Sequence, residues 1–96
     1  MIFITQLIYI VAGKESVFDE FERIAIPIIA KYNGQLMLRT RPGQVIEAHV
    51  EVPYEIHLIS FESDTDFEAF KHDADRKAFL HLKDESVRSS LLIVGS

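Results

Sequence analysis

Arg39 is the first candidate for chemistry in this chain of 96 residues. It falls in the middle of an extended apolar segment, where a guanidinium could hold a carboxylate or an enolate through two parallel hydrogen bonds. The competing interpretation is an ion pair with Glu55 or another acidic residue, which is the commoner arrangement for such an arginine. We therefore predict Arg39 as a ligand-binding residue and keep the ion pair as the alternative.

His57 is the second candidate, because it stands in a strand-like segment on the same face as Glu55. A buried histidine beside a carboxylate can act as a general acid or base near neutral pH. The simpler interpretation is a histidine that only satisfies its hydrogen bonds in the interior. We predict His57 as a catalytic candidate, together with His72 in a polar stretch between two helical segments.

That polar stretch, His72–Arg76, could form the rim of a pocket, since functional residues often collect on loops held by rigid elements. Asp73 and Arg76 within it, and Arg88 at the start of the last strand, complete the predicted ligand-binding set. The alternative is that Asp73 or Asp75 caps the helix that follows. The sequence does not decide whether Arg88 joins Arg39 in one polar cluster.

Metal, cofactor and nucleic-acid chemistry are not predicted. Glu47, His49 and Glu51 alternate along one face and could approach a metal, but any solvent-exposed strand alternates in this way. The chain has no cysteine, which excludes thiolate nucleophiles and Cys-based metal sites. It has no Gly-rich phosphate loop or nucleophile elbow. Its net charge of -5 argues against a nucleic-acid partner.

The hydrophobic pattern predicts the order strand, helix, strand, strand, helix, strand. The first strand, 2–12, is apolar at both odd and even positions, which indicates that both of its faces are covered. The first helix begins at a capping box over 16–19, is kinked at Pro27 and ends at Gly34 as a left-handed cap. Its predicted solvent side carries Asp19, Glu20, Glu22 and Arg23. The remaining segments are strands over 35–41, 54–62 and 87–94 and a second helix that is interrupted near 72–75.

The alternating stretch Val45–Val52 has no unique place in this order. It either extends a hairpin, forms a separate edge strand or reaches a neighbouring subunit.

This order predicts one α+β domain over residues 1–96, a ferredoxin-like βαββαβ antiparallel sheet with helices on one face. The opposite face would expose the apolar sides of the first and third strands, a patch larger than a monomer usually tolerates. A second copy of the sheet is the simplest cover, because two-fold pairing is the commonest oligomer symmetry. We therefore predict a homodimer.

Three segments resemble an uncharacterised bacterial group, the domain-of-unknown-function family thirteen-thirty. Lys31–Arg39, which reads KYNGQLMLR, is similar to its K-Y-G-G-x-x-x-x-R segment, and Ile26–Ile28 and Leu58–Ser63 are similar to its neighbouring motifs. The resemblance implies the dimeric α/β-barrel superfamily, which includes cofactor-free monooxygenases, isomerases and haem-degrading enzymes. Asp73–Arg76 reads DADR where the family has D-P-E-Y, so the proline and the tyrosine are missing. This departure argues against a monooxygenase-like or haem-degrading site.

These observations predict a homodimeric protein that binds a small anionic or aromatic molecule in a cavity between sheet and helices. The alternatives are a cofactor-free monooxygenase- or isomerase-like enzyme, and an interaction module without a pocket. The apolar first segment is shorter than the roughly 20 residues of a membrane span and lacks the basic start of a signal peptide. With the absence of cysteine, this favours a cytoplasmic protein with no membrane partner.

Overall fold

The computed structural model describes residues 1–95. The elements in chain order are β1 (Ile2–Ile10), α1 (Glu15–Ile28), a 3₁₀ turn (Ile29–Tyr32), β2 (Gly34–Thr40), β3 (Glu55–Phe61), α2 (Asp64–Lys71), α3 (Ala74–Ala78), α4 (Leu80–Ser86) and β4 (Val87–Gly95). The strands form one antiparallel sheet in the order β2-β3-β1-β4. The predicted α+β class and antiparallel sheet are confirmed. No helix within residues 1–95 is long and apolar enough to cross a membrane.

The sheet has a helix face, where the core lies, and an open face. Ile4 pairs with Ile59 and Ile8 pairs with Glu55, so these side chains share the helix face. The main core cluster joins this face to the helices through buried Ile and Phe side chains: Ile2, Ile4, Ile28, Ile29, Ile59, Phe61, Phe67 and Phe70. Burial of these apolar side chains is the main force that holds the helices on this face.

The open face carries apolar side chains that remain exposed. Phe3 of β1 is 36% exposed, and Leu38 of β2 and Leu91 and Ile93 of β4 are each about half exposed. Their pairing partners lie on the face opposite the core. The sequence predicts that both faces of the first strand are covered. Within this chain only the helix face of β1 is covered.

A bulge in β2 sets which of its side chains face the helices. Leu36 pairs with Ile59, whereas Leu38 pairs with Leu58, so the chain gains one residue between them. A bulge inserts one unpaired residue and reverses the alternation beyond it. As a result Leu38 turns to the open face and Arg39, opposite His57, turns to the helix face.

The start and end of α1 differ from the prediction. The helix begins at Glu15 after Lys14, and no side chain caps it, so the predicted capping box does not form. Pro27 lies in the last turn, and the chain tightens into the 3₁₀ turn after Ile28. A proline cannot donate the helical hydrogen bond of its own residue, which fits a change of geometry at this point.

Asn33, not Gly34, takes the left-handed conformation, with φ of 58°. Gly34 is required for space instead. A Cβ atom at Gly34 would lie 2.6 Å from side-chain atoms of both Ile29 and Phe61. The glycine thus permits the helix end and the strand to pack closely.

Val45–Val52 forms no strand, so both intramolecular strand interpretations are wrong. Ile46 is 87% exposed and Val50 is 72% exposed. Pro42 and Pro53 bound the segment, and neither residue can donate a hydrogen bond to a strand ladder.

Candidate functional site

Glu55 is the centre of a paired polar cluster on the helix face at the start of β3. Its side chain is 1% exposed. One carboxylate oxygen accepts a hydrogen bond from Arg39 Nε at 2.8 Å, and the other accepts one from Arg41 Nε at 2.9 Å. His57 Nε2 also contacts the carboxylate. Asp19 of α1 lies 2.7 Å from Arg41 and 3.7 Å from Arg39 and so extends the cluster to the helix.

The pairing keeps Glu55 ionised. Burial alone would raise its pKa, but hydrogen bonds from His57, Arg39 and Arg41 outweigh burial and lower the pKa to about 2. Arg39 therefore forms an ion pair with Glu55, which was the alternative interpretation of this residue. The guanidinium is committed to a carboxylate of the protein itself.

His57 connects this cluster to a small cavity between the sheet and the helices. The ring is 2% exposed and lines the cavity, whose volume is about 50 Å³. This volume corresponds to about two water molecules. The lining is apolar apart from five polar side chains. These five are Gln6, Glu22, His57, Arg76 and Lys83.

Glu22 is the most buried acidic group facing the cavity, at 8% exposed. Burial raises its pKa, and the distant charge of His57 opposes this only partly. No hydrogen bond is among the causes that act on this pKa. The prediction that Glu22 lies on the solvent side of α1 is therefore wrong. It shares a helical line with buried Phe18 and Ala25, at spacings of four and three residues.

Arg76, the middle residue of α3, is held in place but not fully paired. Its guanidinium lies 5.1 Å from the centre of the Phe70 ring, and Nη1 donates to the carbonyl oxygen of Lys71 at 3.4 Å. Its Nε is buried and has no hydrogen-bond partner among the described residues. Burial lowers the pKa of Arg76, and the negative charges of Glu22 and Asp73 oppose this. A buried donor without an acceptor is costly, so Nε is a candidate contact for a ligand.

Lys83 of α4 brings a second cation to the same cavity. Burial lowers its pKa, and the nearby positive charge of Arg76 lowers it further. Gln6 reaches the cavity from β1, opposite His57 across the strand pair. The polar groups therefore come from both central strands and from three helices.

The structure brings two of the six predicted site residues together, since His57 and Arg76 line one cavity. Arg39 lies outside the cavity, on the far side of Glu55. His72 is exposed, with Glu68 4.0 Å away, and is not among the cavity residues.

Asp73 and Arg88 are engaged elsewhere. Asp73 caps α3 through the Arg76 amide at 2.9 Å and accepts a hydrogen bond from the Tyr32 hydroxyl at 2.6 Å. The Tyr32 bond, the Arg76 amide and Lys31 lower its pKa to about 2. Capping is thus confirmed as a role of Asp73. Arg88 pairs with Glu51 and does not join the Arg39 cluster.

Metal ligands are not assembled by residues 1–95, where no group of three His, Asp or Glu side chains is placed to hold an ion. His49 contacts Glu47 at 3.1 Å on the exposed loop.

Glu22 and Lys83 are functional candidates that the sequence analysis did not single out. The available signal for Glu22 was its helical spacing from Phe18 and Ala25, which outweighs its charge. Lys83 gave no comparable signal, because its burial depends on how α4 lies against α1.

No profile of a known protein family matches the chain, and no curated protein matches it. The fold is shared with solved bacterial structures of low sequence identity. A NIPSNAP domain protein from Burkholderia xenovorans is 14% identical with a TM-score of 0.76, over 100% of this chain and 93% of that chain. A proposed antibiotic biosynthesis monooxygenase from Nitrosomonas europaea is 11% identical with a TM-score of 0.77, over 100% and 97%. A dimeric ferredoxin-like protein of unknown function from Bacteroides fragilis is 14% identical with a TM-score of 0.71, over 99% and 94%.

These likenesses establish a ferredoxin-like fold for the chain and no activity, because function depends on the site and not on the fold. The resemblance to family thirteen-thirty stays a prediction.

Proposed function

We propose that this protein binds a small molecule in the cavity between the sheet and the helices. One observation carries the proposal: the cavity collects a buried carboxylate, a buried guanidinium nitrogen without a partner and a buried histidine. Buried polar groups are normally satisfied by the protein or by water. A protein that only needed a stable core would fill this space with apolar side chains.

The surroundings of His57 also support this proposal. Glu55 fixes the ring through Nε2, and two arginines fix Glu55 in turn. A ring held in this way presents a defined edge to a ligand. Because the ring is already ordered, binding costs less conformational entropy.

Filling the cavity tests the proposal. Ala25 lines the cavity and is 5% exposed, so Ala25→Leu should occupy part of its volume. We expect this variant to abolish the thermal shifts that members of a metabolite panel produce in the parent protein. The matched control is Ala69→Leu on the exposed face of α2. Ligand shifts that persist in Ala25→Leu would contradict a site in this cavity.

A cofactor-free enzyme is the second candidate, favoured by the buried contact between Glu55 and His57. An oriented histidine with Glu22 across the same cavity provides two groups that can hold or accept a proton. In this reading His57 is the base and the ionised Glu55 orients it. The test is exchange of carbon-bound hydrogen for deuterium in small carbonyl compounds, followed by NMR. Exchange that depends on His57 would support it, and equal exchange in His57→Gln would exclude it.

We further propose that the protein is a homodimer, as in dimeric α/β-barrels, with the open face as the contact. The exposed Leu38, Leu91 and Ile93 support this, since apolar patches of this kind mark interfaces. The Bacteroides fragilis protein of the same fold is dimeric. Light scattering should give twice the mass of the chain, and Leu91→Lys should shift it to the single-chain mass. A monomeric parent protein would overturn this part of the proposal.

We also propose the cytoplasmic location that the sequence analysis predicts.

A further inference from the structure

We infer that the ligand of this cavity is a small monocarboxylate whose charged end lies between Arg76 and Lys83. The inference rests on the proposed binding function and names its ligand class. It chooses between the anionic and aromatic ligands that the sequence left open.

The balance of charge in the cavity favours an anion. Arg76 and Lys83 contribute two cations, and Glu22 contributes one carboxylate. The whole chain, in contrast, has a net charge of -5. Asp73 also acts on Arg76, but Lys31 balances its charge, so the lining side chains keep an excess of one positive charge. Such a cavity inside an acidic protein is complementary to one negative charge. Glu22 opposes a second negative charge, which limits the ligand to a monoanion.

The contacts of Arg76 indicate where the carboxylate of the ligand would bind. Its Nη1 is engaged by the Lys71 carbonyl, and its ring contact with Phe70 fixes the plane of the guanidinium. Nε is a buried donor of this guanidinium that has no partner among the described residues. Carboxylates are acceptors that guanidinium groups bind through charge-assisted hydrogen bonds.

The size of the cavity selects a short ligand. A volume of about 50 Å³ limits the ligand to a carboxylate with a very short alkyl group. The rest of the lining is mainly apolar and includes Ile8, Phe18 and Ile29. A benzene ring does not fit the present volume, because cavities known to bind benzene are about 150 Å³.

Acetate and its neutral counterpart acetamide are the probes. Their binding is followed by methyl NMR at constant ionic strength, using the resonances of Ala25, Ile29 and Ile59 that line the cavity. We expect acetate to shift these methyl resonances in a saturable way, with a Kd in the millimolar range that its few atoms permit. Acetamide should bind at least about tenfold more weakly, since it lacks the charge.

Two substitutions in the cavity should act in opposite directions. Arg76→Gln should weaken acetate binding about tenfold or more, because it removes the charged donor. Glu22→Gln should strengthen acetate binding several-fold, because it removes the opposing charge. Arg23→Gln, on the exposed side of α1, is the matched control for the loss of an arginine and should leave the Kd unchanged. A merely structural role of Glu22 would not predict tighter binding.

The outcomes separate this inference from the proposed function. If acetamide shifts the cavity resonances as strongly as acetate, the cavity is a binding site and the carboxylate inference is wrong. Equal acetate binding by Arg76→Gln would also overturn it. If neither acetate nor acetamide shifts these resonances, the inference is wrong, and the metabolite panel with Ala25→Leu then decides the proposed function by itself.

Discussion

Glu55 and Glu22 are two buried carboxylates near His57, and they differ in their partners. Glu55 receives hydrogen bonds from Arg39, Arg41 and His57, and its pKa falls to about 2. Glu22 faces a cavity, and burial raises its pKa. The comparison teaches that burial alone does not decide what a carboxylate does here. Hydrogen bonds from three basic side chains hold Glu55 ionised, whereas burial without such bonds disfavours the charged form of Glu22.

The largest expected effect comes from removing the paired carboxylate. Glu55→Ala leaves His57 buried without its partner and separates Arg39 and Arg41 from their shared acceptor. We expect the free energy of unfolding to fall by about 3 kcal/mol in urea titrations near neutral pH. Glu47→Ala, on an exposed loop, is the control. A loss no larger than that of the control would remove the distinction between the two carboxylates.

Protonation of Glu55 in acid should lower the free energy of unfolding by as much as Glu55→Ala does, or by less. Its pKa is lowered from 4.5 to about 2, so its contribution is present above about pH 4.5 and is lost as the pH falls toward 2. In this window the unfolded chain binds more protons than the folded chain, and the free energy of unfolding therefore decreases with falling pH. Glu55→Gln should lose less stability between pH 5 and pH 2.5 than the parent protein. Parallel pH profiles would show that Glu55 is not held ionised.

Replacing the unpaired carboxylate should have the opposite sign. Glu22→Leu keeps a similar volume and removes a carboxylate whose pKa is raised by burial. We expect relief of this desolvation to outweigh the lost attraction to Arg76 and Lys83, with a gain of about 1 kcal/mol near pH 7.5. Because the pKa of Glu22 is raised in the folded state, its cost grows as the pH rises above 4.5. The gain should therefore shrink below pH 4.5. Glu20→Leu on the same helix is the control, and a loss of stability in Glu22→Leu would indicate an unrecognised partner.

The smallest effect is expected where a pair is exposed to solvent. Arg88 and Glu51 form an ion pair in which both side chains are at least half exposed. Exposed pairs contribute little, since water competes for both charges. Arg88→Gln should leave the midpoint of thermal unfolding unchanged. A clear drop in this midpoint would show that an ion pair stabilises this protein even when it is exposed to solvent.

Local sequence patterns predicted most of the fold. The apolar runs in β1 and β3 and the amphipathic pattern of α1 give the order of elements without any long-range information. Asp73 as a helix cap was also predictable, because it needs only its own neighbours.

The site was less predictable, because it depends on packing between distant segments. The alternation in β2 predicts Leu36 and Leu38 on one face, but the bulge is set by pairing with β3 and separates them. The charge of Glu22 favoured a solvent position, but helix rotation onto the sheet follows the larger apolar neighbours Phe18 and Phe21. Val45–Val52 alternates like a strand, yet pairing requires a neighbouring edge as well as a pattern.

The bulge in β2 also determines where this strand can lose one residue and keep its pairing with β3. In an ordinary strand, deletion of one residue moves every later side chain to the opposite face. Here the extra residue lies between two halves of β2 that already alternate in opposite phase, and each half keeps its own pairing with β3. A chain that lacks Met37 would retain Leu36 opposite Ile59 and Arg39 opposite His57. Met37 is thus the position in β2 where evolution could remove a residue and leave the Glu55 cluster intact.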